Sequence, residues 1–304
     1  MSLDIPTVLL LPATPTQVPP LAAALQRLVP ALRLLSGFDR PDDTQLAGVD
    51  FMLGWRLPPG LAPRLTGLRW VCSMAAGVEK LLVPELPPSV PLTRVVDPDQ
   101  ALGMAQYAAA VVLHHVRGLA RCEAQQAARD WSRHPMAAAR HRVTVLGWGE
   151  VGREVGRVLQ ALGLAVRGWR RDGTPLADAL HDADIVVNTL PLTPQTAGLL
   201  DAQAFAAMPR GAYLVNMARG GHVVEADLIA AVRSGHLAGA ALDVQAHEPL
   251  PPDDPLWAVP GIRVTPHIAA QPDTATVAAQ FADNLQRLRH GLPLLNLVDR
   301  ARGY

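Results

Sequence analysis

Three glycines near the middle of the chain have the spacing of a phosphate-binding loop. Gly147, Gly149 and Gly152 follow the apolar run Val143–Leu146, which is typical of a buried parallel strand, and apolar residues at helical period continue to Leu162. In a G-x-G-x-x-G loop the first glycine permits a tight turn, the second lets the backbone approach a pyrophosphate, and the third lets helix and strand pack closely. In this context the spacing predicts dinucleotide binding. The alternative is that the three glycines serve turns alone.

The end of the next predicted strand, Leu164–Trp169, bears on which dinucleotide is bound. An NAD-binding unit expects Asp or Glu there, to accept hydrogen bonds from the ribose 2′-hydroxyl. This chain instead has Arg170 and Arg171, and its first carboxylate is Asp172. Two guanidinium groups suit a 2′-phosphate, which they can hold through charge-assisted, bidentate hydrogen bonds. The pair predicts NADP(H) as the preferred cofactor and leaves NAD(H) open; a solvated basic turn is the alternative.

Three further polar segments each follow a predicted strand. They are Asn216–Gly220 (NMARG), Asp243–Leu250 (DVQAHEPL) and Thr265–Ala270 (TPHIAA). Taken singly, an Arg is usually a surface charge, a Glu-Pro a helix start and a His after Pro a loop residue. Doubly wound sheets, however, bind ligands at the carboxyl ends of their strands. We therefore expect the three segments to contribute to one site.

With these motifs the chain resembles the D-isomer-specific 2-hydroxyacid dehydrogenases over essentially its whole length. The runs HVVEADL (222–228), PLPPDDPLW (249–257) and GMAQYA (103–108) look most like the glyoxylate/hydroxypyruvate reductase A branch of that family. The resemblance implies a catalytic set of Arg219, Glu248 and His267. It also implies a preference for NADPH, which agrees with the interpretation of the two arginines.

Reduction of a 2-oxo acid explains why these three residue types are needed. Hydride reaches the carbonyl carbon, and the oxygen, becoming an alkoxide, takes a proton that a charged His267 can donate. Glu248 should hydrogen-bond the other ring nitrogen, fix the tautomer and raise the pKa of the histidine by favouring its charged form. Arg219 offers a planar fork to the substrate carboxylate and polarises the carbonyl oxygen.

The resemblance also implies substrate-binding residues in the first third of the chain. The segment Ser73–Val78 (SMAAGV) stands where the family has its substrate-carboxylate loop. Small residues there let the backbone N–H groups of Ala76 and Gly77 form an anion nest. A strand-to-helix turn broken by Gly77 is the alternative. Trp55 matches an aromatic residue that lines the substrate pocket in the reductase A branch, and core packing is an equal alternative for it.

The resemblance extends the cofactor site beyond the glycines and arginines. Asp243 is expected to accept a hydrogen bond from the nicotinamide carboxamide, and Arg219 and His267 are expected to face the cofactor as well as the substrate. Glu150 places an acid beside the phosphates, which is mildly unfavourable unless it points outward or pairs with Arg153. The remaining expected cofactor contacts are Val151, Leu190, Pro191, Thr196, Met217, Ala218 and Ala269.

Strands and helices alternate along the chain, which predicts an α/β protein with parallel sheets. The remaining predicted strands are Thr7–Leu11, Ala31–Leu35, Val49–Leu53, Arg69–Ser73, Leu92–Val96, Asp184–Asn188, Ala212–Asn216, Gly239–Val244 and Arg263–Thr265. A long apolar helix is predicted over 99–120. A final helix, Asp273–Arg289, and the strand-like Leu294–Val298 are expected to return to the first domain.

This order of elements predicts two domains. Residues 1–98 and 273–304 are expected to form the substrate domain, and 99–272 the NADP-binding domain. The resemblance implies a Rossmann fold for the second and a smaller flavodoxin-like α/β fold for the first. Two crossovers between domains leave a cleft, which is a usual place for a ligand, so the active site is expected in the interdomain cleft.

Composition limits the other classes of function. The 304 residues are 49% hydrophobic and carry a formal net charge of zero, which gives no reason to expect nucleic acid or an acidic surface as partner. Cys72 and Cys122 have no metal-binding or redox spacing, so neither a metal site nor a disulfide is expected. The first residues lack a basic segment and a long apolar run, which predicts a cytoplasmic protein without a membrane span. The resemblance implies a homodimer.

The sequence thus predicts an NADPH-dependent reductase of a small 2-oxo acid such as glyoxylate or hydroxypyruvate. A bulkier substrate such as phenylpyruvate stays open, because the walls of a pocket cannot be sized from sequence. A second class stays open too. The C-terminal-binding corepressors share this fold and its dinucleotide site, yet they act by docking peptides rather than by catalysis.

Overall fold

The computed structural model describes residues 5–134, 138, 140–171 and 173–303. Asp172, the first carboxylate after the arginine pair, lies outside the described residues. The chain divides into two compact units. The first runs up to Pro98 and resumes at Gln271, and the second is Asp99–Ala270.

The elements alternate along the chain. The strands are β1 (Thr7–Leu11), β2 (Arg33–Ser36), β3 (Phe51–Gly54), β4 (Trp70–Ser73), β5 (Leu92–Thr93), β6 (Arg142–Leu146), β7 (Ala165–Trp169), β8 (Ile185–Asn188), β9 (Ala212–Asn216), β10 (Leu237–Leu242) and β11 (Ile262–Val264). The helices are α1 (Val18–Leu28), α2 (Asp43–Ala47), α3 (Pro98–Val116), α4 (Leu119–Ala128), α5 (Glu150–Ala161), α6 (Leu176–Leu180), α7 (Ala202–Ala207), α8 (Glu225–Arg233) and α9 (Thr274–Arg289).

The first unit is built on a five-stranded parallel sheet in the order β2-β1-β3-β4-β5, which is the flavodoxin-like order. β1 is buried along its whole length, as expected for a parallel strand covered on both faces. α1 and α9 pack together in the same core. There Trp70 stacks on Phe281 with ring centroids 4.8 Å apart and donates its Nε1–H to Thr93 Oγ1.

The second unit is built on a six-stranded parallel sheet in the order β11-β10-β9-β8-β6-β7. The chain runs outward from β6 to β7 and then returns to the other side of β6 with β8. In an open α/β sheet such a reversal of strand order leaves a crevice for a ligand outside the carboxyl ends of the strands. The predicted Rossmann architecture is confirmed.

Two element predictions are wrong. The helix predicted over 99–120 ends at Val116, because Gly118 adopts a left-handed conformation with φ +61° and α4 begins directly after it. The strand-like Leu294–Val298 forms no strand. Asn296 is left-handed, with φ +55°, and among the described residues this segment's ladder contact is a single antiparallel bridge between Leu297 and Thr93.

Candidate active site

The glycine loop connects β6 to α5 at the point where the strand order reverses. Gly147 has φ +94°, and a Cβ there would lie 2.9 Å from the Thr189 carbonyl carbon. A Cβ on Gly152 would overlap the Gly147 carbonyl oxygen. A Cβ on Gly149, by contrast, would meet nothing within 4 Å. Protein packing therefore explains the first and third glycines, while the second leaves the loop backbone open to a ligand, as a pyrophosphate requires.

Helix α5 begins beside that open backbone. Glu150 is its first residue, and in the described chain no side chain caps its N-terminus at Gly149. The first N–H groups of a helix and its positive dipole end form a favourable site for phosphate. Glu150 is exposed, which agrees with the outward orientation considered for this acid. The loop has the features needed to hold a dinucleotide pyrophosphate.

Arg170 and Arg171 follow β7 and extend from the same edge of the sheet. Arg170 Nη2 donates to the carbonyl oxygen of Trp148, inside the glycine loop, at 2.9 Å. Arg171 Nη1 donates to Gln195 Oε1 at 3.4 Å. Both arginines are exposed. The two guanidinium groups thus lie against the loops that follow β6 and β8.

Trp148 was not singled out from the sequence, although it shapes this loop. Its ring fills the space beside Gly156 of α5 and Gly168 of β7, and a Cβ on either glycine would overlap it. The indole therefore holds the loop between helix and strand. Gly156 is buried and Gly168 is exposed. One glycine inside a helix and one inside a strand are the sequence signal that a large neighbouring side chain needs their space.

A pair of asparagines positions the Arg219 segment. The register of β8 and β9 aligns Asn188 with Asn216, and Asn188 Nδ2 donates to Asn216 Oδ1 at 3.0 Å. Asn216 Nδ2 then donates to the Arg219 carbonyl oxygen at 3.0 Å. Arg219 Nη1 donates to the Ala218 carbonyl oxygen at 2.7 Å. The guanidinium is half-buried and is held over its own loop.

Glu248 and His267 come together as a hydrogen-bonded pair. Glu248 Oε2 lies 2.9 Å from His267 Nδ1, and the two side chains are 26% and 25% exposed. The Gln245 backbone N–H donates to the other carboxylate oxygen of Glu248 at 3.2 Å. His267 sits in a left-handed backbone conformation with φ +56°. The carboxylate of Glu248 thus engages the imidazole through Nδ1.

Asp243 joins the end of β10 to the segment that carries the histidine. Its buried carboxylate accepts hydrogen bonds from Thr265 Oγ1 at 2.6 Å, from the Ile268 N–H at 2.9 Å and from the Ala269 N–H at 2.8 Å. These three donors fix the carboxylate between the end of β10 and the segment 265–269.

Tyr107 of α3 completes this network. Its hydroxyl lies 2.8 Å from Thr265 Oγ1. Because the threonine hydroxyl donates to Asp243, the tyrosine must be the donor in this pair. Burial raises the pKa of Tyr107 to about 12, so the phenol keeps its proton at any physiological pH. The result is a one-directional chain of hydrogen bonds from Tyr107 through Thr265 to Asp243, whose carbonyl oxygen in turn accepts from the His267 N–H at 2.8 Å.

In the first unit the predicted substrate loop follows β4. Ser73 Oγ accepts from the Ala75 N–H at 3.0 Å and donates to the Gly77 carbonyl oxygen at 3.2 Å. Trp55 follows the neighbouring strand β3, and Lys80 Nζ lies 5.3 Å from its ring centroid. Such a cation–π contact orients the indole. Lys80 is a residue that the sequence analysis did not connect with Trp55.

The remaining predicted cofactor residues differ in exposure. Val151 and Pro191 are partly exposed. Five others are buried within the second unit: Leu190, Thr196, Met217, Ala218 and Ala269. Met217 packs in a core cluster shared by α3, α5 and the sheet.

A family described as "D-isomer specific 2-hydroxyacid dehydrogenase, NAD binding domain" matches residues 109–269. The chain belongs to the D-isomer-specific 2-hydroxyacid dehydrogenase family. The matched range includes the glycine loop and carries Arg219, Glu248 and His267. It ends at Ala269, one residue before the end of the second unit.

Two relatives share the name of one branch of the dehydrogenase family. A protein of Yersinia enterocolitica named glyoxylate/hydroxypyruvate reductase A is 36% identical over 286 residues, covering 87% of this chain and 90% of its own. A protein of the same name from Photorhabdus laumondii is 36% identical over 276 residues, covering 84% and 88%. The predicted resemblance to this branch is confirmed.

Solved structures of the family have the same fold. A D-isomer-specific 2-hydroxyacid dehydrogenase of Xanthobacter autotrophicus, crystallised with NADPH and MES, has a TM-score of 0.88 and 38% identity and covers 99% of this chain and 100% of its own. An NADPH-dependent glyoxylate/hydroxypyruvate reductase of Sinorhizobium meliloti, crystallised with NADP and sulfate, has a TM-score of 0.89 and 32% identity and covers 98% and 100%.

Two further features are absent from the part of the chain that the structure describes. There, no group of three or more His, Cys, Asp or Glu side chains could hold a metal ion. Nor is any helix there long and apolar enough to cross a membrane.

Proposed function

We propose that this dehydrogenase reduces a small 2-oxo acid, glyoxylate or hydroxypyruvate, with NADPH. The observation that carries the proposal is the Glu248–His267 pair, 2.9 Å apart, in a chain whose relatives are named for that reaction. A carboxylate bound to one nitrogen of an imidazole leaves the other nitrogen to deliver a proton. The reaction needs one proton for each carbonyl reduced.

In this proposal three side chains do the chemistry that belongs to the protein. His267 donates its Nε2 proton to the substrate oxygen, and Glu248 keeps Nδ1–H oriented and stabilises the charged ring. Arg219 binds the substrate carboxylate through its guanidinium, and its charge stabilises the developing alkoxide. Ala76 and Gly77, through their backbone N–H groups, and Trp55 are proposed as further substrate contacts.

The cofactor would be held mainly beside β6 of the second unit, where the strand order reverses. Gly147, Gly149 and Gly152 with the N-terminus of α5 would bind the pyrophosphate, and Arg170 and Arg171 the 2′-phosphate. When bound, the cofactor supplies the hydride. The further proposed contacts are Glu150, Val151, Leu190, Pro191, Thr196, Met217, Ala218, Arg219, Asp243, His267 and Ala269.

Two alanine substitutions in the glycine loop are expected to have different effects. Gly149→Ala should leave the melting temperature unchanged, because its Cβ meets nothing and its φ of −86° suits alanine. It should weaken NADPH binding by about tenfold, because the methyl group enters the space proposed for the pyrophosphate. Gly152→Ala should destabilise the fold by roughly 1–3 kcal/mol through overpacking. Thermal unfolding and NADPH titration separate the two; unaltered NADPH binding by Gly149→Ala would place the pyrophosphate elsewhere.

Cofactor choice gives a second prediction. We expect kcat/KM for NADPH to exceed that for NADH by at least about tenfold, a difference of about 1.4 kcal/mol. Arg170→Asp should reverse the preference, since the carboxylate repels a 2′-phosphate and accepts hydrogen bonds from a 2′-hydroxyl. Arg233→Asp is the matched control: it changes the charge equally but lies at the end of α8, which runs back toward the amino ends of the strands. If the wild type used both cofactors equally well, the two arginines would have no role in recognising the 2′-phosphate.

The proposed activity itself is tested by a panel of 2-oxo acids. Glyoxylate, hydroxypyruvate and phenylpyruvate are each assayed with NADPH and with NADH, following loss of cofactor absorbance. Glyoxylate and hydroxypyruvate are expected to give the highest kcat/KM. A higher kcat/KM for phenylpyruvate would show that the enzyme prefers a bulky 2-oxo acid and would contradict the proposal of a small substrate. Tight NADP(H) binding without turnover on any 2-oxo acid would contradict an enzymatic role.

A further inference from the structure

His222 is a buried histidine of the second unit that the proposed mechanism does not use. It ends the 3-10 turn Gly220–His222, directly after Arg219, and its side chain is fully buried. Its Nδ1 lies 3.0 Å from the Arg219 carbonyl oxygen, and its Nε2 lies 3.2 Å from the Pro191 carbonyl oxygen. One imidazole thus spans the loop after β8 and the loop after β9.

Both contacts require the ring to donate. A carbonyl oxygen only accepts hydrogen bonds, so each contact is a hydrogen bond only when the facing nitrogen carries a proton. A neutral imidazole can therefore satisfy one carbonyl, and the imidazolium form both. The imidazolium form therefore hydrogen-bonds both loops, and the neutral form hydrogen-bonds one loop and packs against the other.

Each carbonyl also has a second donor. Asn216 Nδ2 donates to the Arg219 oxygen at 3.0 Å, and Thr196 Oγ1 donates to the Pro191 oxygen at 2.8 Å. Loss of the imidazole would therefore leave neither oxygen buried without a partner. The main contribution of His222 is therefore to hold the two carbonyl groups in place, since both already have another hydrogen-bond donor.

The backbone around His222 is held independently of its ring. The Gly198 N–H donates to the Gly221 carbonyl oxygen at 2.8 Å, and the Leu200 N–H donates to the His222 carbonyl oxygen at 2.9 Å. The two loops therefore stay in contact when the side chain is changed. For this reason a His222 variant is expected to fold.

We propose that His222 is a positioning residue that sets the placement of Arg219 by fixing its carbonyl to the Pro191 loop. This proposal rests on the proposed function, in which Arg219 binds the substrate carboxylate. The imidazole is fully buried and is proposed to act through Arg219 rather than on the substrate itself. It acts by limiting the backbone freedom of the residue whose fork must meet the carboxylate within a narrow range of angles.

The test is a double-mutant cycle with a matched histidine control. His222→Leu keeps the approximate volume without a donor and should lower kcat/KM for glyoxylate about tenfold, mostly through KM. In an Arg219→Lys background the same change should cost less than about threefold, because the fork being positioned is already gone. His222→Gln, which can reach one carbonyl, should lose about threefold in the otherwise wild-type chain.

His236→Leu is the control. That histidine also faces carbonyl oxygens with Nε2, of Phe205 at 2.9 Å and Met208 at 3.1 Å, but it lies between α8 and β10, toward the amino ends of the strands. It should leave kcat/KM unchanged. Equal losses from His222→Leu in both backgrounds, or from His236→Leu, would overturn the positioning role. If His222→Leu fails to fold, the same cycle with His222→Gln decides.

Failure of this proposal and failure of the proposed function give different results. A wild type that reduces no 2-oxo acid contradicts the function before any His222 variant is made. An active wild type with an additive cycle contradicts only the positioning role. Melting temperatures of all variants, measured alongside, separate loss of fold from loss of alignment.

Discussion

His267→Asn is expected to lower kcat for glyoxylate reduction by about 10²- to 10⁴-fold, the usual contribution of a positioned proton donor. Asparagine is preferable to alanine because His267 has φ +56°, a left-handed conformation that Asn adopts with little strain. An amide cannot transfer a proton at neutral pH. The Kd for NADPH should change by no more than about twofold, because the substitution removes the proton donor but keeps the backbone conformation of the segment that carries it. Stopped-flow or steady-state kinetics with parallel NADPH titration measure both quantities.

The neighbouring acid provides the second half of this test. Glu248→Gln keeps the size of the side chain but removes the negative charge 2.9 Å from Nδ1 of His267. Because that charge is proposed to orient and stabilise the proton-donating ring, the variant is expected to lose kcat for glyoxylate while NADPH binding stays nearly unchanged. A His267→Asn enzyme with near-normal kcat would exclude this histidine from the chemistry, and a Glu248→Gln enzyme with wild-type kcat would exclude the pairing.

Arg219→Lys is expected to lower kcat/KM for glyoxylate by roughly 10²-fold, with KM raised and kcat lowered together. Lysine keeps the positive charge but loses the planar fork, and it cannot both donate to the Ala218 carbonyl oxygen and hold a carboxylate at two points. An interaction present in ground state and transition state alike affects KM, and one that strengthens with the alkoxide affects kcat.

A substrate without a carboxylate is the control for this arginine. Acetaldehyde should be a very poor substrate of the wild type and should lose little further in Arg219→Lys. Gly77→Val should raise KM for glyoxylate while leaving the NADPH constant unchanged, because the substituted loop belongs to the first unit. Reduction of simple aldehydes as efficient as that of glyoxylate would leave no carboxylate site to explain.

Local sequence pattern was sufficient for most of the fold. β1 and β9 lie where their apolar runs predicted them, because a parallel strand buried on both faces reads as a continuous apolar run. Prediction failed where one residue's backbone decided the outcome. Gly118 in a left-handed conformation separates α3 from α4, and Asn296 interrupts the segment predicted as a strand. The spacing of apolar residues does not reveal a left-handed backbone conformation at a single residue.

The sequence indicated which residues belong to the candidate site, but it did not indicate the hydrogen bonds that hold them in place. Family motifs indicated Arg219, Glu248 and His267, but the groups that hold Arg219 depend on sheet register. Asn188 and Asn216 meet because β8 and β9 pair at those positions. Two adjacent strands that both end in Val-Asn were the available signal. Nothing comparable in the sequence indicated that His222 would span two loops.

The contact between Lys80 and Trp55 has a practical consequence for spectroscopy. The sequence contains a single lysine, and that side chain lies over the indole next to the proposed substrate loop. Reductive methylation with isotope-labelled formaldehyde would therefore place one side-chain methyl reporter at this position. The ring current of the indole would shift its resonance, and any displacement of Trp55 when an oxo acid binds would be read directly from that one signal.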